Sequence, residues 1–428
     1  MILSQRSLVL IGILTYVLPS ALAQHQRLGM EGSNPVQRGQ TLFDWVWEPT
    51  TLPRTEGKSD GLGPMFNARS CAECHHQGGT GGAGIKIHNI EILTVRLKSV
   101  DLKNSTISGE SNSKKITTSN QAKNGPLLNQ SLDPETIAKL HAGLSNSASV
   151  LLHKGSLNSG YYDYQKFLKE SNHDFSIEIA ERNTPSLFGL GLVDKIDDSI
   201  LIEQEKRQQT LGLSGRLART PDNRIGKFGW KAQKATLREF IEQAAAVELG
   251  LETPKMHQAS DPRGALQNAT ATDLSNEQID SITAFVSSLP RPKQADARNT
   301  GLNGRRIFLN IGCGGCHVAN LGHVKEIYTD LLLHKMKQDL HDPGDYQIFG
   351  HSKLLENAKN HAGALPGEWR TPALWGVGIT APYMHDGRAL SLGEAIDEHG
   401  GEAEKSARNF QALEVDQKMQ LMQFLKSL

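Results

Sequence analysis

Cys71-Ala72-Glu73-Cys74-His75 and Cys313-Gly314-Gly315-Cys316-His317 between them hold all four cysteines of the chain. In an oxidising compartment the same residues could form two local disulfides, and four thiolates could hold a zinc ion. Neither arrangement explains why a histidine directly follows the second cysteine in both strings. Covalent haem attachment does. Two thioethers fix the vinyl edges of the macrocycle, and the adjacent imidazole reaches the iron as proximal ligand. The expectation is two haem c groups, one at Cys71, Cys74 and His75 and one at Cys313, Cys316 and His317.

Around these strings the sequence repeats itself loosely. Thr184-Pro185-Ser186-Leu187-Phe188-Gly189-Leu190-Gly191 echoes Thr371-Pro372-Ala373-Leu374-Trp375-Gly376-Val377-Gly378. A helix candidate ending Ala284-Phe285-Val286-Ser287-Ser288-Leu289 echoes Gln423-Phe424-Leu425-Lys426-Ser427-Leu428. Each half therefore runs from C-x-x-C-H through T-P-x-L-x-G-x-G to an apolar-periodic closing helix, the pattern of a duplicated haem domain. Pro290 and Pro292 mark a linker over 290–300. It separates an N-terminal haem domain over 24–289 from a C-terminal cytochrome c-like domain over 301–428. The first half is longer, with 113 positions from Cys71 to Thr184 against 58 from Cys313 to Thr371. Its insertion includes 104–131, rich in Ser, Asn and Lys, which reads as a surface loop.

Apolar alternation predicts a strand over 89–97, and 3.6-residue periodicity predicts helices over 241–249, 276–289, 392–398 and 415–428. The fold class expected is mostly α: two cytochrome c-like haem domains with large irregular loops and a few short strands in the first. Gly78, Gly79, Gly81, Gly82 and Gly84 have neither the preceding strand nor the following Lys-Ser/Thr of a phosphate loop. They read instead as a place of close backbone approach to the haem.

Arg6, the apolar run 8–18 and Ala21-Leu22-Ala23 before Gln24 predict a signal peptide over 1–23, and with it export to the periplasm. No later segment is apolar enough to predict a membrane span. The chain carries 46 basic and 46 acidic residues, so its charge offers no reason to expect nucleic acid as a partner.

Phe66-Asn67-Ala68-Arg69, Arg182-Asn183-Thr184-Pro185, Phe228-Gly229-Trp230-Lys231-Ala232 and Thr380-Ala381-Pro382-Tyr383-Met384-His385-Asp386-Gly387 together resemble the di-haem oxidoreductases. These belong to the bacterial cytochrome c peroxidase/MauG superfamily, and the resemblance covers roughly residues 40–428, outside the loop near 100–170. It implies a sixth ligand to the C-terminal haem about fourteen positions after His385, which falls on His399. Relatives carry Met or Tyr there, and a bis-His haem generally has a lower potential than a His/Met haem. His385 itself would pack beside the haem without ligating it.

The resemblance further implies Glu248 as the acid–base group at an open N-terminal haem, and Trp230 as the aromatic between the haems. A Gln of the peroxidases is replaced by Phe240. Asn183, Thr380 and Pro382 match a calcium site, whose oxygen donors suit hard Ca²⁺. Arg182 and Arg370 match propionate partners. Hydrogen peroxide or a similar oxidant, a small redox protein as electron donor, and a homodimer are the partners it implies. The leading expectation is a peroxidase-type oxidoreductase. Two alternatives stay open: oxidation of an organic or protein substrate, as in MauG-type enzymes and dihaem rubber oxygenases, and a pure electron carrier with His153 or His173 closing the His75 haem.

Overall fold

The computed structural model describes residues 34–48, 61–63, 65–97, 148–152, 155–156, 175–258, 271–293, 300–342 and 363–428. The segment read as a signal peptide, the loop 104–131, most of the linker, His153 and His173 lie outside them. None of the described helices is long and apolar enough to cross a membrane.

The structure is helix-rich with a few short strands. Helix α1 (Pro35–Asp44) starts at a capping box in which Asn34 and Gln37 satisfy each other's backbone N–H, with Pro35 preset at the first turn. Strand β1 (Met65–Phe66) leads to α2 (Cys71–Cys74). Strand β2 (Ile90–Leu97) pairs antiparallel with β3 (Ala148–Leu152) on one side and β5 (Phe175–Arg182) on the other, while β4 (Gly155–Ser156) pairs with β1. After β5 come α3 (Leu190–Asp194), α4 (Asp198–Thr210), α5 (Leu237–Glu248) and α6 (Asn276–Ser288). The second half holds α7 (Thr300–Asn310), β6 (Leu333–Lys335), β7 (Glu368–Arg370), α8 (Leu392–Asp397), α9 (Glu404–Gln411) and α10 (Val415–Ser427). Strand β2 and helices α5, α6, α8 and α10 fall where periodicity predicts them. The expectation of strands in the first half alone is corrected by β6 and β7, which pair antiparallel but are too short for alternation to register.

The two halves repeat one packing unit. Gly39 of α1 faces α6 so closely that a Cβ there would lie 1.9 Å from Ser281 O; Gly304 of α7 faces α10, where a Cβ would lie 2.2 Å from Gln420 O. One turn along each pair, Phe43 meets Phe285 with ring centroids 5.2 Å apart, and Phe308 meets Phe424 at 5.6 Å. The same two phenylalanines approach the histidines of the C-x-x-C-H strings, Phe43 to His75 at 6.3 Å and Phe308 to His317 at 6.4 Å. The bare hydrogen at Gly39 and Gly304 lets the backbones cross where any side chain would hold them apart. Both phenylalanines are buried, and truncating either to Ala is worth about 3–5 kcal/mol in a packed core.

The T-P-x-L-x-G-x-G repeat also keeps its conformation. Gly189 (φ 71°, ψ 6°) and Gly376 (φ 72°, ψ 5°) both sit in the left-handed region at the start of a helical turn. The halves are not separate in their packing, however. One buried cluster of the described residues joins Phe43, Leu237 and Phe285 to Leu331, Leu332 and Trp375, so core side chains run across the 290–300 boundary.

Candidate functional site

Helix α2 is a single turn capped by Ser70, whose Oγ accepts from Glu73 N. The turn faces Cys71 and Cys74 into a cavity of about 140 Å³ that His75 also lines. The glycine run folds back over it. His75 Nδ1 lies 3.1 Å from Gly82 O, and a carbonyl only accepts, so the ring proton sits on Nδ1 and Nε2 keeps its lone pair. Any side chain at Gly82 would strike Gln77 O. The glycines thus bring the backbone close to the C-x-x-C-H turn itself, holding the imidazole's tautomer. Burial pushes the His75 pKa down to about 4, which keeps the ring neutral and able to ligate a metal.

The other wall is helix α5. Phe240, Ile241, Ala244, Ala245 and Glu248 line this cavity, at spacings that form one helical face. Four are apolar and two of those are small, leaving Glu248 as the carboxylate of that face. Asn67, just before α2, donates through Nδ2 to Glu248 Oε2 at 2.6 Å, and its backbone N–H donates to Glu248 O at 2.7 Å. His88 lines the cavity as well. Sequence reasoning passed over both Asn67 and His88. Asn67 lay inside a quoted motif, and His88, thirteen positions after His75, carried no pattern of its own.

The second string borders a larger cavity of about 350 Å³ lined by Cys313, Cys316, His317 and His399. His317 Nδ1 is 2.9 Å from Tyr328 O, and His399 Nδ1 is 2.6 Å from Ala395 O. Both rings therefore offer Nε2, as His75 does. Burial lowers the pKa of both, His317 to about 4. Their ring centroids stand 6.5 Å apart, close to the roughly 6 Å that two imidazoles reach when each binds one metal at about 2 Å from opposite sides. His385 is elsewhere in the same cavity wall. It stacks on Trp369 at 3.7 Å and 20°, and burial, with the cations Arg182, Lys231 and Arg388 nearby, pushes its pKa down to about 2.

Arg370 also lines this cavity. Its Nε donates to Gly229 O at 2.8 Å and its Nη1 to Thr371 O at 3.2 Å, and no carboxylate pairs with it among the described residues. Burial drags its pKa down to about 10. Asp330 acts on it without pairing; a desolvated guanidinium with no paired anion is costly, and a haem propionate would supply one. Arg182 differs. It lines the His75 cavity, but its guanidinium is bound to the buried carboxylate of Asp342 and lies over Trp369. Breaking such a buried pair costs about 3–5 kcal/mol.

Trp230 lines both cavities. Its Nε1 donates to Asn183 O at 2.9 Å, and its carbonyl accepts from Arg370 N at 3.0 Å. Strand β5 ends at Arg182 and so delivers Asn183 to this wall. Asn183, Thr380 and Pro382 all border the larger cavity. Gly387 packs against both Pro382 and Asn183, at distances a Cβ there would make 3.0 and 3.3 Å.

The residues present fit haem at both strings. The cysteines form two separate pairs of free thiols on two cavities, which no four-thiolate zinc site could use. Each pair adjoins a neutral histidine with Nε2 available, and one cavity holds a buried cation suited to a propionate.

A family model described as "di-haem oxidoreductase, putative peroxidase" matches residues 159–428, a span that holds the second C-x-x-C-H string and begins after the first. No curated protein sequence matches the chain. Among solved structures the chain is similar to the hydrazine synthase of Kuenenia stuttgartiensis, studied under 20 bar xenon. That pair shares 15% identity with a TM-score of 0.29, over 58% of this chain and 73% of the other. It is also similar to a MauG-like protein associated with microbial copper homeostasis, at 16% identity and a TM-score of 0.27, over 55% of this chain and 90% of that one.

Proposed function

This chain belongs to the di-haem oxidoreductase family, and we propose that it is an exported, periplasmic peroxidase-type enzyme with both haems attached through thioethers. The observation that carries the reading is Trp230, an indole that lines the cavities of both C-x-x-C-H strings. When bound, the haem at His75 would supply the iron that reacts with peroxide, and the haem at His317 would supply stored electrons. The chain's own residues do the rest. Glu248 takes a proton from the near peroxide oxygen and returns it to the far one, so that hydroxide never has to leave. Asn67 holds the carboxylate in place, and Trp230 bridges the two cavities. Two electrons from a small redox protein and two protons then balance one peroxide against two waters. Electron paramagnetic resonance of the oxidised chain, before and after one-electron reduction, tests this: one high-spin haem supports it, and two low-spin haems in both states favour an electron carrier.

One observation favours a second reading. The face of α5 beside Glu248 presents Phe240, Ile241, Ala244 and Ala245, an apolar surface that would also accept an organic substrate. Turnover of peroxide with a reducing dye, but of no apolar compound, would exclude it.

His399, in this reading, would hold the iron of the His317 haem together with His317, supported by its available Nε2 and the 6.5 Å between the two ring centroids. His399→Gly converts one low-spin signal to high-spin, whereas His385→Gln, which disturbs the stack on Trp369 and the contacts with Asp342 and Asp386, leaves ligation intact. The reverse pattern reassigns the ligand.

Calcium binding by Asn183, Thr380 and Pro382 is the last part of the proposal. A side-chain oxygen and two carbonyls, completed by water, suit Ca²⁺, and the residues come from both halves of the sequence. Chelation is expected to shift the haem absorption spectrum and lower activity, with calcium restoring both. Metal analysis of active protein showing no calcium would refute the site.

A further inference from the structure

His334, on β6, stands between two carboxylates at the edge of the larger cavity. Its Nε2 is 2.9 Å from Asp330 Oδ2 and its Nδ1 is 2.7 Å from Glu402 Oε2. Nδ1 also lies 3.5 Å from Cys316 Sγ, the atom that here stands for the thioether sulfur of an attached haem. The group is deep: Asp330 is fully buried, His334 is 4% exposed and the Glu402 side chain 11%. Its outer bonds are satisfied too. Gln208 donates to Asp330 Oδ2 at 3.0 Å, Leu332 N donates to Asp330 Oδ1 at 3.0 Å, and Ser214 N donates to Glu402 Oε1.

Both ring nitrogens face acceptors, so the ring holds both protons, and against the effect of burial the two carboxylates push its pKa up. Cys316, Asp330 and His334 come close enough together to suggest a metal site, but a doubly protonated imidazole has no lone pair to give one. Two carboxylates around one imidazolium instead give these three side chains a net charge of −1, buried against the attachment point of the C-terminal haem, with the buried cation Arg370 also within reach of Asp330. Neither carboxylate is needed to hold the proximal imidazole, whose Nδ1 is already taken by Tyr328 O.

We propose that Asp330, His334 and Glu402 are positioning residues that set the reduction potential of the C-terminal haem, His334 cancelling one of the two buried negative charges. The proposal rests on the reading of Cys313, Cys316 and His317 as a haem site. A negative charge held near a redox centre in a low-dielectric surrounding favours the oxidised form. Removing the imidazolium adds one net negative charge to the site, and removing Glu402 takes one away.

The test is a potentiometric titration of the intact chain carrying both haems, following the low-spin haem. His334→Gln lowers its midpoint below wild type, Glu402→Gln raises it above, and Glu402→Asp, which keeps the charge, stays nearer wild type than Glu402→Gln. Glu402 is the least buried of the three, so its variants report even if His334→Gln does not fold. A merely structural triad would move both Gln variants the same way or not at all, and either result overturns the proposal. Intact mass keeps the two readings apart. A wild-type chain without the second haem defeats the underlying site, whereas a chain that carries it with an unmoved midpoint defeats only the charge-setting role.

Discussion

Replacing Cys313 and Cys316 together by Ala removes one haem from the chain, and Cys71 with Cys74 the other, each read as lost staining on a denaturing gel or as lost mass. Thioethers survive denaturation, whereas His317 and His399 could hold an unattached haem only while the chain stays folded. The two losses should differ in their effect on stability. Emptied cavities of about 350 and 140 Å³, at about 24 cal/mol per Å³, cost at most about 8 and about 3 kcal/mol. The larger figure is comparable to the whole stability of a typical domain. The Cys313/Cys316 variant should therefore be the more easily proteolysed, cutting first within 301–428, while the Cys71/Cys74 variant keeps a folded second half. Wild-type protein from cells with a haem-attachment system whose mass equals that of the bare polypeptide would defeat covalent attachment altogether.

What the amino-acid order makes legible is whatever is local. Cysteines and histidine within one turn declare their chemistry by spacing, and Ser275 with Gln278 marks the start of α6 through a capping box that two side chains complete. The glycine pair Gly189 and Gly376 was visible as a motif, and the left-handed conformation explains why it had to be glycine in both places. The G-x-x-x-F pattern of Gly39 with Phe43 and Gly304 with Phe308 was equally present. It carries no meaning until α6 and α10 are laid across it, because the constraint on glycine comes from a helix more than a hundred positions away.

The same distance hid the polar architecture. Asp330 and His334 look like an ordinary i, i+4 pair, and only the fold brings in Glu402 from behind His399. Arg182 and Asp342 are 160 positions apart, so nothing in the sequence distinguished an arginine already paired with a carboxylate from Arg370, which pairs with none among the described residues. Glycine crossings and buried ion pairs are properties of pairs of surfaces. A single sequence records each surface separately, and the pairing only through the fold.

Glu248→Gln slows the reaction with peroxide by about 10²–10⁴, the usual worth of general acid–base help, while both haems stay attached. The amide keeps the size of the carboxylate and can still meet Asn67 Nδ2 through its oxygen, so packing at the end of α5 is preserved and proton transfer alone is lost. Asn67→Ala separates position from chemistry. It leaves the carboxylate but removes the 2.6 Å bond that aims it, so a smaller loss is expected, with Asn67→Asp worse than Asn67→Ala because it sets a like charge against Glu248. Trp230→Phe should behave differently again. It spares the first encounter with peroxide and slows only the later delivery of electrons between the cavities, because a benzene ring is harder to oxidise than an indole. Stopped-flow mixing of reduced protein with peroxide resolves the two phases. An unchanged first phase in Glu248→Gln would move the acid–base role off α5, leaving an apolar cavity whose wall favours an organic substrate or none.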